Sequence, residues 1–230
     1  MKHYIILIFI LFITFLSFYF SIESFEENSF PNSIDIVYYI NLDHREDRKS
    51  QFLSGMDNVN IKNIERIPAI YDKEHGHIGC TKSHIKTLKT FLESPHNICI
   101  IFEDDFEWSS YPNNTLKQFF DAEIPFDVCM LSGSYSTYFP TKYPFLYKIN
   151  DAQTTSGYMV TRKFAPILLK NYEEGLRLLE RPEYDHSKYA IDQYWKKLQP
   201  PSRWYIFEPK LGKQISSVSD IQRGFVEMDV

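Results

Sequence analysis

Ile98-Cys99-Ile100-Ile101-Phe102 runs straight into Glu103-Asp104-Asp105, and this junction decides the fold. Five consecutive apolar residues, bounded by a polar turn, predict a short strand buried on both faces. Such strands belong to sheets covered by helices on either side, and ligands bind those sheets beyond the carboxyl ends of the strands. Three adjacent carboxylates emerging there repel one another and are costly to leave unpaired beside a core. A divalent cation with oxygen ligands would neutralise them and bridge them to the phosphates of a donor. An acidic turn at a strand end is the alternative reading.

Working outward, Asp35-Ile36-Val37-Tyr38-Tyr39-Ile40 reads as the first strand. Asp43 to Leu53 reads as the helix after it, with Asp43 as a cap, and Ile61 to Ile70 holds a second short strand. Thr81 to Leu92 carries Ile85, Leu88 and Leu92 at helical spacing. Phe126 to Leu131 and Tyr158 to Val160 predict further strands, and Arg162 to Asn171 a helix. Strands interleaved with helices predict a three-layer α/β/α domain over residues 35–230. No Gly-rich phosphate loop occurs in the sequence.

Composition narrows the function. With 43% hydrophobic and 24% charged residues the 230-residue chain can bury a core, and a net charge of −5 without a basic stripe excludes a nucleic-acid binder. Cys80, Cys99 and Cys129 form neither a CxxC nor a zinc spacing. Cys99 and Cys129 lie in apolar runs and read as buried, inert thiols. Tyr4 to Phe20 is uncharged and almost wholly apolar, which predicts a transmembrane signal anchor over residues 1–22 and a polar stem over 23–34. Lys2 before the run and Glu23, Glu26 and Glu27 after it orient a single-pass, type II chain with its domain luminal or external. A cleaved signal peptide is the rival reading. The sequon Asn113-Asn114-Thr115 would fit that side if it carries a glycan.

Six segments keep a common order along the domain. Tyr39-Ile40-Asn41-Leu42-Asp43-His44-Arg45-Glu46-Asp47-Arg48 resembles the opening motif of glycosyltransferase family 25. Gly79-Cys80-Thr81-Lys82-Ser83-His84 is similar to its Gly-Cys-x-x-Ser-His motif, and Phe102 to Asp105 to its acidic motif. Ser156-Gly157-Tyr158-Met159-Val160, Ala190-Ile191-Asp192-Gln193-Tyr194-Trp195, and Gln214 with Ser219-Asp220-Ile221 resemble its later segments. That family includes lipooligosaccharide and procollagen galactosyltransferases.

The resemblance implies a GT-A-like nucleotide-sugar-binding domain, a UDP-sugar donor, usually with galactose, and a divalent ion such as Mn2+. It implies metal and donor contacts from Asp105 and Glu103, the latter through water or the ribose, with Asp104 beside them. Asn41, Arg45 and Arg48 would meet the nucleotide just past the first strand, Arg pairing with phosphate; a solvated basic face is the alternative for the two arginines. Ser83 and His84 lie at a helix start, where His84 either approaches the donor or bonds inside the fold. An inverting enzyme needs a base for the acceptor hydroxyl, and Asp192 is the candidate, with helix capping as its other role. Glu208 and Gln214 are the nearby polar residues of the carboxyl-terminal part that would complete a metal shell. The acceptor implied is a glycan, a lipid-linked sugar or a hydroxylysine-type protein. A catalytically silent, membrane-anchored homologue that binds sugar or a partner enzyme would carry the same motifs, and Mn2+-stimulated release of UDP separates the two.

Overall fold

The computed structural model describes residues 12–16, 30–109 and 112–215, together with the backbone of 217–219 and 224–226. Strands β1 (Ile36–Asn41), β2 (Ile64–Pro68) and β3 (Ile98–Glu103) are parallel, with β1 between the other two. A short strand, β4 (Phe106–Trp108), follows the acidic turn, and β5 (Val128–Met130), β6 (Ser134–Pro140), β7 (Leu146–Gln153), β8 (Gly157–Thr161) and β9 (Trp204–Phe207) complete the main elements of the sheet. The eight-stranded sheet has the order β2-β1-β3-β8-β5-β9-β7-β6, with β8 antiparallel to both β3 and β5. β10 (Gly212–Gln214) pairs with β4 outside that sheet, and β11 (Ser217–Ser219) pairs with β12 (Gly224–Val226).

Alternation along the central strands builds two cores. Ile36, Tyr38 and Ile40 of β1 and Cys99 and Ile101 of β3 face helices α2 (Gly76–Glu93) and α4 (Ala165–Leu179), meeting Leu88, Phe91, Leu168 and Tyr172. Val37, Tyr39, Ile100 and Phe102 face α1 (Glu46–Asn58) and α3 (Asn113–Asp121), meeting Phe52, Met56, Leu116 and Phe119. Ile100, Ile101 and Phe102 are fully buried, and each such side chain contributes roughly 1.5–3 kcal/mol of hydrophobic stabilisation. The three-layer α/β/α arrangement read from the sequence is therefore present, with β3 inside the sheet between β1 and β8. Cys99 and Cys129 are buried, unpaired thiols in opposite cores.

Several local expectations change. α2 starts at Gly76, not Thr81, because Asp72 Oδ1 accepts the backbone N–H groups of Glu74 and His75 and turns the chain into the helix early. Arg162 is not helical. Its guanidinium donates to the carbonyls of Phe91, Leu92, Ser94 and His96, satisfying the carboxyl end of α2 and tying that helix to the end of β8. Asp43 does not cap α1, which begins at Glu46; it pairs instead with Arg66 at 2.7 Å.

The anchor expected over residues 1–22 lies outside the described residues except for Phe12–Leu16, which are helical. Among the described residues no helix is long and apolar enough to cross a membrane. Residues 23–29 of the stem also lie outside them, as do Asp220 and Ile221, whereas Ile34 is already buried against the domain. The sequon reading is corrected. Asn113 is 1% exposed in the first turn of α3, so the folded domain offers no amide there for a glycan.

Candidate active site

β3 ends on Glu103, and Asp104 and Asp105 form the turn into β4. Asn41, at the end of neighbouring β1, donates its side-chain amide to Asp104 Oδ2 at 2.7 Å. Arg48, from the first turn of α1, places Nη1 3.0 Å from Asp104 Oδ1 and 3.2 Å from Asp105 Oδ2. Both oxygens of Asp104 are thus engaged by protein groups, so of the two aspartates Asp105 is the one that could still offer an oxygen to a cation. The pairing of β10 with β4 brings Gln214 Nε2 to 3.1 Å from Asp105 Oδ2. Glu208, the other carboxyl-terminal candidate, instead accepts from Tyr135 at 2.6 Å.

Asp105 Oδ1 is buried and has no hydrogen-bond partner among the described residues. Burial and then the Glu103 charge push the Asp105 carboxyl up to about 7, against the opposing effect of Arg48. Burial likewise raises Asp104 despite Asn41 and Arg48. An orphaned carboxylate oxygen in a pocket with surplus negative charge fits a hard divalent cation, which prefers oxygen donors.

Glu103 is held differently. His84 Nε2 lies 3.2 Å from Glu103 Oε1, and the Thr155 hydroxyl donates to the same oxygen. Burial would raise the Glu103 carboxyl, but these contacts and the Arg48 charge outweigh it and keep the group below its ordinary value. Cys80 Sγ is 3.9 Å from the same oxygen, so Cys80, His84 and Glu103 converge within 4.8 Å. A thiolate would be needed for a soft metal there. Burial and the charges of Glu103, Asp192 and Asp105 push the Cys80 thiol well up, which leaves the oxygens of the acidic turn as the better seat for a metal.

Across the cleft stands Asp192, in α6 (Ile191–Tyr194), just after α5 (His186–Tyr189). It lies inside the first turn, behind Ala190 as cap, and makes no capping bond. Its Oδ2 accepts the Thr154 N–H at 3.1 Å. Burial, and next the Glu103 charge, raise its carboxyl. Thr154 has φ of 84°, a backbone conformation costly for a β-branched residue and often retained at functional sites. Through it, Thr154 reaches Asp192 while Thr155 reaches Glu103.

One cleft is lined by Arg48, His84, Glu103, Asp104, Asp105 and Asp192, with Ser83 in its wall. Ser83 is committed to the fold: its hydroxyl accepts from Ile70 N at 2.8 Å and donates to Gly79 O at 2.7 Å. Asn41 and Arg45 are not among the lining residues; Asn41 braces Asp104, and Arg45 pairs with Asp47 at 2.9 Å. Tyr71, Asp72, Thr154 and Thr155 also line the cleft and were not singled out from the sequence.

The glycines of two motifs have a steric cause. A Cβ on Gly79 would lie 2.5 Å from Ile70 O, because α2 presses directly on the Ile70–Asp72 wall of the cleft. A Cβ on Gly157 would lie 2.7 Å from the Phe106 ring. Gly79→Ala should therefore destabilise the domain by about 1–3 kcal/mol through overpacking. Urea unfolding of the variant checks this, and an unchanged midpoint would contradict the close approach.

Comparison with known proteins adds to this geometry. Residues 74–152 match glycosyltransferase family 25 (LPS biosynthesis protein). The family 25 segment runs from just before α2 into β7, so it contains the Gly79–His84 motif and the acidic triplet, while Asn41–Arg48 and Asp192 lie outside it. No curated protein matches the chain. Among solved structures, a glycosyltransferase involved in the glycosylation of the major capsid of PBCV-1 is similar, with a TM-score of 0.54 and 10% identity over 82% of this chain and 95% of that one. A197 from STIV gives a TM-score of 0.47 and 13% identity over 85% and 94%. At these identities the PBCV-1 likeness speaks for the fold. The family 25 segment and that fold together support a glycosyltransferase.

Proposed function

We propose that the chain transfers a hexose, galactose being the first candidate, from a UDP-sugar to a hydroxyl of a glycan, lipid-linked sugar or hydroxylated protein acceptor, with inversion and with a divalent cation such as Mn2+. The observation that carries this reading is the orphaned Asp105 Oδ1 in a cleft that also holds Arg48, Glu103 and Asp192. Asp105 would hold the cation, with Gln214 beside it, and the cation would offset the negative charge that develops on the departing UDP. Arg48 offers its guanidinium to the diphosphate, and Glu103 offers its remaining oxygen to the ribose or to a bound water.

The acceptor oxygen forms a bond to the anomeric carbon as the bond from that carbon to the UDP oxygen breaks. Asp192 takes the acceptor proton. Burial raises its carboxyl, which makes the carboxylate a stronger base, and the Thr154 N–H fixes Oδ2 so that Oδ1 serves the acceptor. Because the group must be ionised to accept a proton, transfer should rise with pH through its raised value.

The test is release of UDP from a panel of UDP-sugars by the purified full-length chain with Mn2+, with and without chelator. Membrane attachment is part of the same proposal and rests on the apolar run Tyr4–Phe20. The chain should stay with membranes through carbonate extraction, and a soluble product lacking that run would contradict it.

A further inference from the structure

We infer that His84 is a positioning residue: a one-way chain of buried hydrogen bonds from Tyr172 through Tyr158 and His84 fixes one oxygen of Glu103 and leaves the other for the donor. The inference rests on Glu103 being a donor contact, as proposed above.

The chain is continuous and buried. Tyr172 OH donates to Tyr158 OH at 3.3 Å, Tyr158 OH lies 3.0 Å from His84 Nδ1, and His84 Nε2 lies 3.2 Å from Glu103 Oε1. His84 and Tyr158 are fully buried and Tyr172 is 1% exposed. The His84 ring lies nearly parallel to that of Tyr158, with centroids 5.8 Å apart, and meets Tyr172 edge-on at 6.3 Å. Trp195 packs against both tyrosines. The imidazole is held in one orientation by these rings.

Proton counting sets the direction. Tyr158 accepts from Tyr172, so its own proton is available for His84 Nδ1, and the ring proton then sits on Nε2, aimed at Glu103 Oε1. The opposite tautomer would set the Nδ1 proton against the Tyr158 hydroxyl, and two lone pairs, on Nε2 and Oε1, face to face in a buried site. The Thr155 hydroxyl donates to the same Oε1. That oxygen is saturated, whereas among the described residues Oε2 has no hydrogen-bond partner. His84 acts on the donor only through the carboxylate it orients, in the way that outer-shell partners orient ligating groups. This also explains why the Ser83-His84 and Gly157-Tyr158 motifs, far apart in sequence, belong together: one supplies the ring and the other fixes its tautomer.

The test has two arms on the full-length chain. Nitrogen NMR of the histidine side chains, with His84 assigned by its loss in His84→Gln, should show the Nε2–H tautomer. An Nδ1–H or doubly protonated ring would overturn the inference. The second arm measures binding of UDP with Mn2+ by calorimetry. His84→Gln, which keeps an N–H for Glu103, should retain affinity within about threefold, whereas His84→Leu should lose about tenfold or more. In turnover the Leu variant should raise KM for the donor more than it lowers kcat. Equal affinities for the Gln and Leu variants would overturn the inference, and if the Leu variant does not fold, the NMR arm decides. A wild-type chain that shows the Nε2–H tautomer but neither binds UDP nor transfers sugar would refute the transferase reading alone.

Discussion

Asp105→Asn should leave a folded, more heat-stable domain that has lost Mn2+-dependent binding of UDP-sugar, with transfer reduced by roughly 1,000-fold or more. Both effects have one origin. In the folded state the Asp105 carboxyl is pushed up to about 7 from an ordinary value of 3.8, chiefly by burial and next by the Glu103 charge. Between about pH 4 and 7 the folded state therefore binds more protons than the unfolded state. Stability must fall as pH rises through that window, and above it the full cost is present, on the order of 2–4 kcal/mol. Asparagine has the same shape and carries no charge, so it removes that cost. Without metal at pH 8 the variant should melt several degrees above the wild type, and the difference should shrink toward pH 4. Adding Mn2+ should stabilise the wild type and not the variant. Calorimetric scans at the two pH values, with and without Mn2+, check all of this, and a variant less stable than wild type at pH 8 would contradict the electrostatic account.

Asp192→Asn should behave in the opposite way. Donor affinity should stay within a few-fold, because Asp192 belongs to the wall opposite the acidic turn, whereas transfer should fall by about 100- to 10,000-fold. The Asn side chain can still accept the Thr154 N–H through its carbonyl oxygen, so the local backbone has reason to persist. UDP binding by calorimetry and transfer by UDP release on one preparation separate a lost base from a lost fold. Normal transfer by the variant would remove Asp192 from the chemistry. Joint loss of binding and transfer would assign it to holding Thr154 and Thr155 in place.

The sequence exposed the elements of this fold and site to very different degrees. Ile98–Phe102 and Asp35–Ile40 were legible because central strands buried on both faces must be apolar throughout, and α2 because Ile85 and Leu88 repeat at helical spacing. The hairpin of β6 and β7 was not. β6 is an edge strand with a mostly exposed face, and the buried residues of β7, Leu146, Ile149 and Ala152, recur every third position because the pairing shifts register between Tyr135 and Tyr138. A period of two is absent, so alternation had nothing to report.

At the site, Glu103–Asp105 and Asp192 were visible as carboxylates where a core should begin or a helix should start. The assignment of work among them was not. Asp104 read as a donor contact beside the metal-binding Asp105, but Asn41 and Arg48 occupy both its oxygens. Ser83 read as a donor contact and braces the Ile70 segment instead, while His84, open between the donor and a bond inside the fold, is bonded to Glu103. Thr154 and Thr155 gave no signal, since their importance comes from a positive φ and from partners distant in the chain. Gln214 reaches Asp105 only because β10 pairs with β4, a contact across more than a hundred residues that no local pattern announces.

The central claim is that this cleft transfers a sugar from a nucleotide donor with the help of a cation at Asp105. The most direct measurement is UDP release by the full-length chain, offered each of a panel of UDP-sugars with Mn2+ and a mixture of glycan and hydroxylysine-peptide acceptors, alongside Asp105→Asn. The account predicts release with at least one donor that is abolished by chelator, restored by Mn2+ and reduced to background in the variant. Release from every donor at the same level in wild type and variant, or from none while both chains are folded, would contradict it.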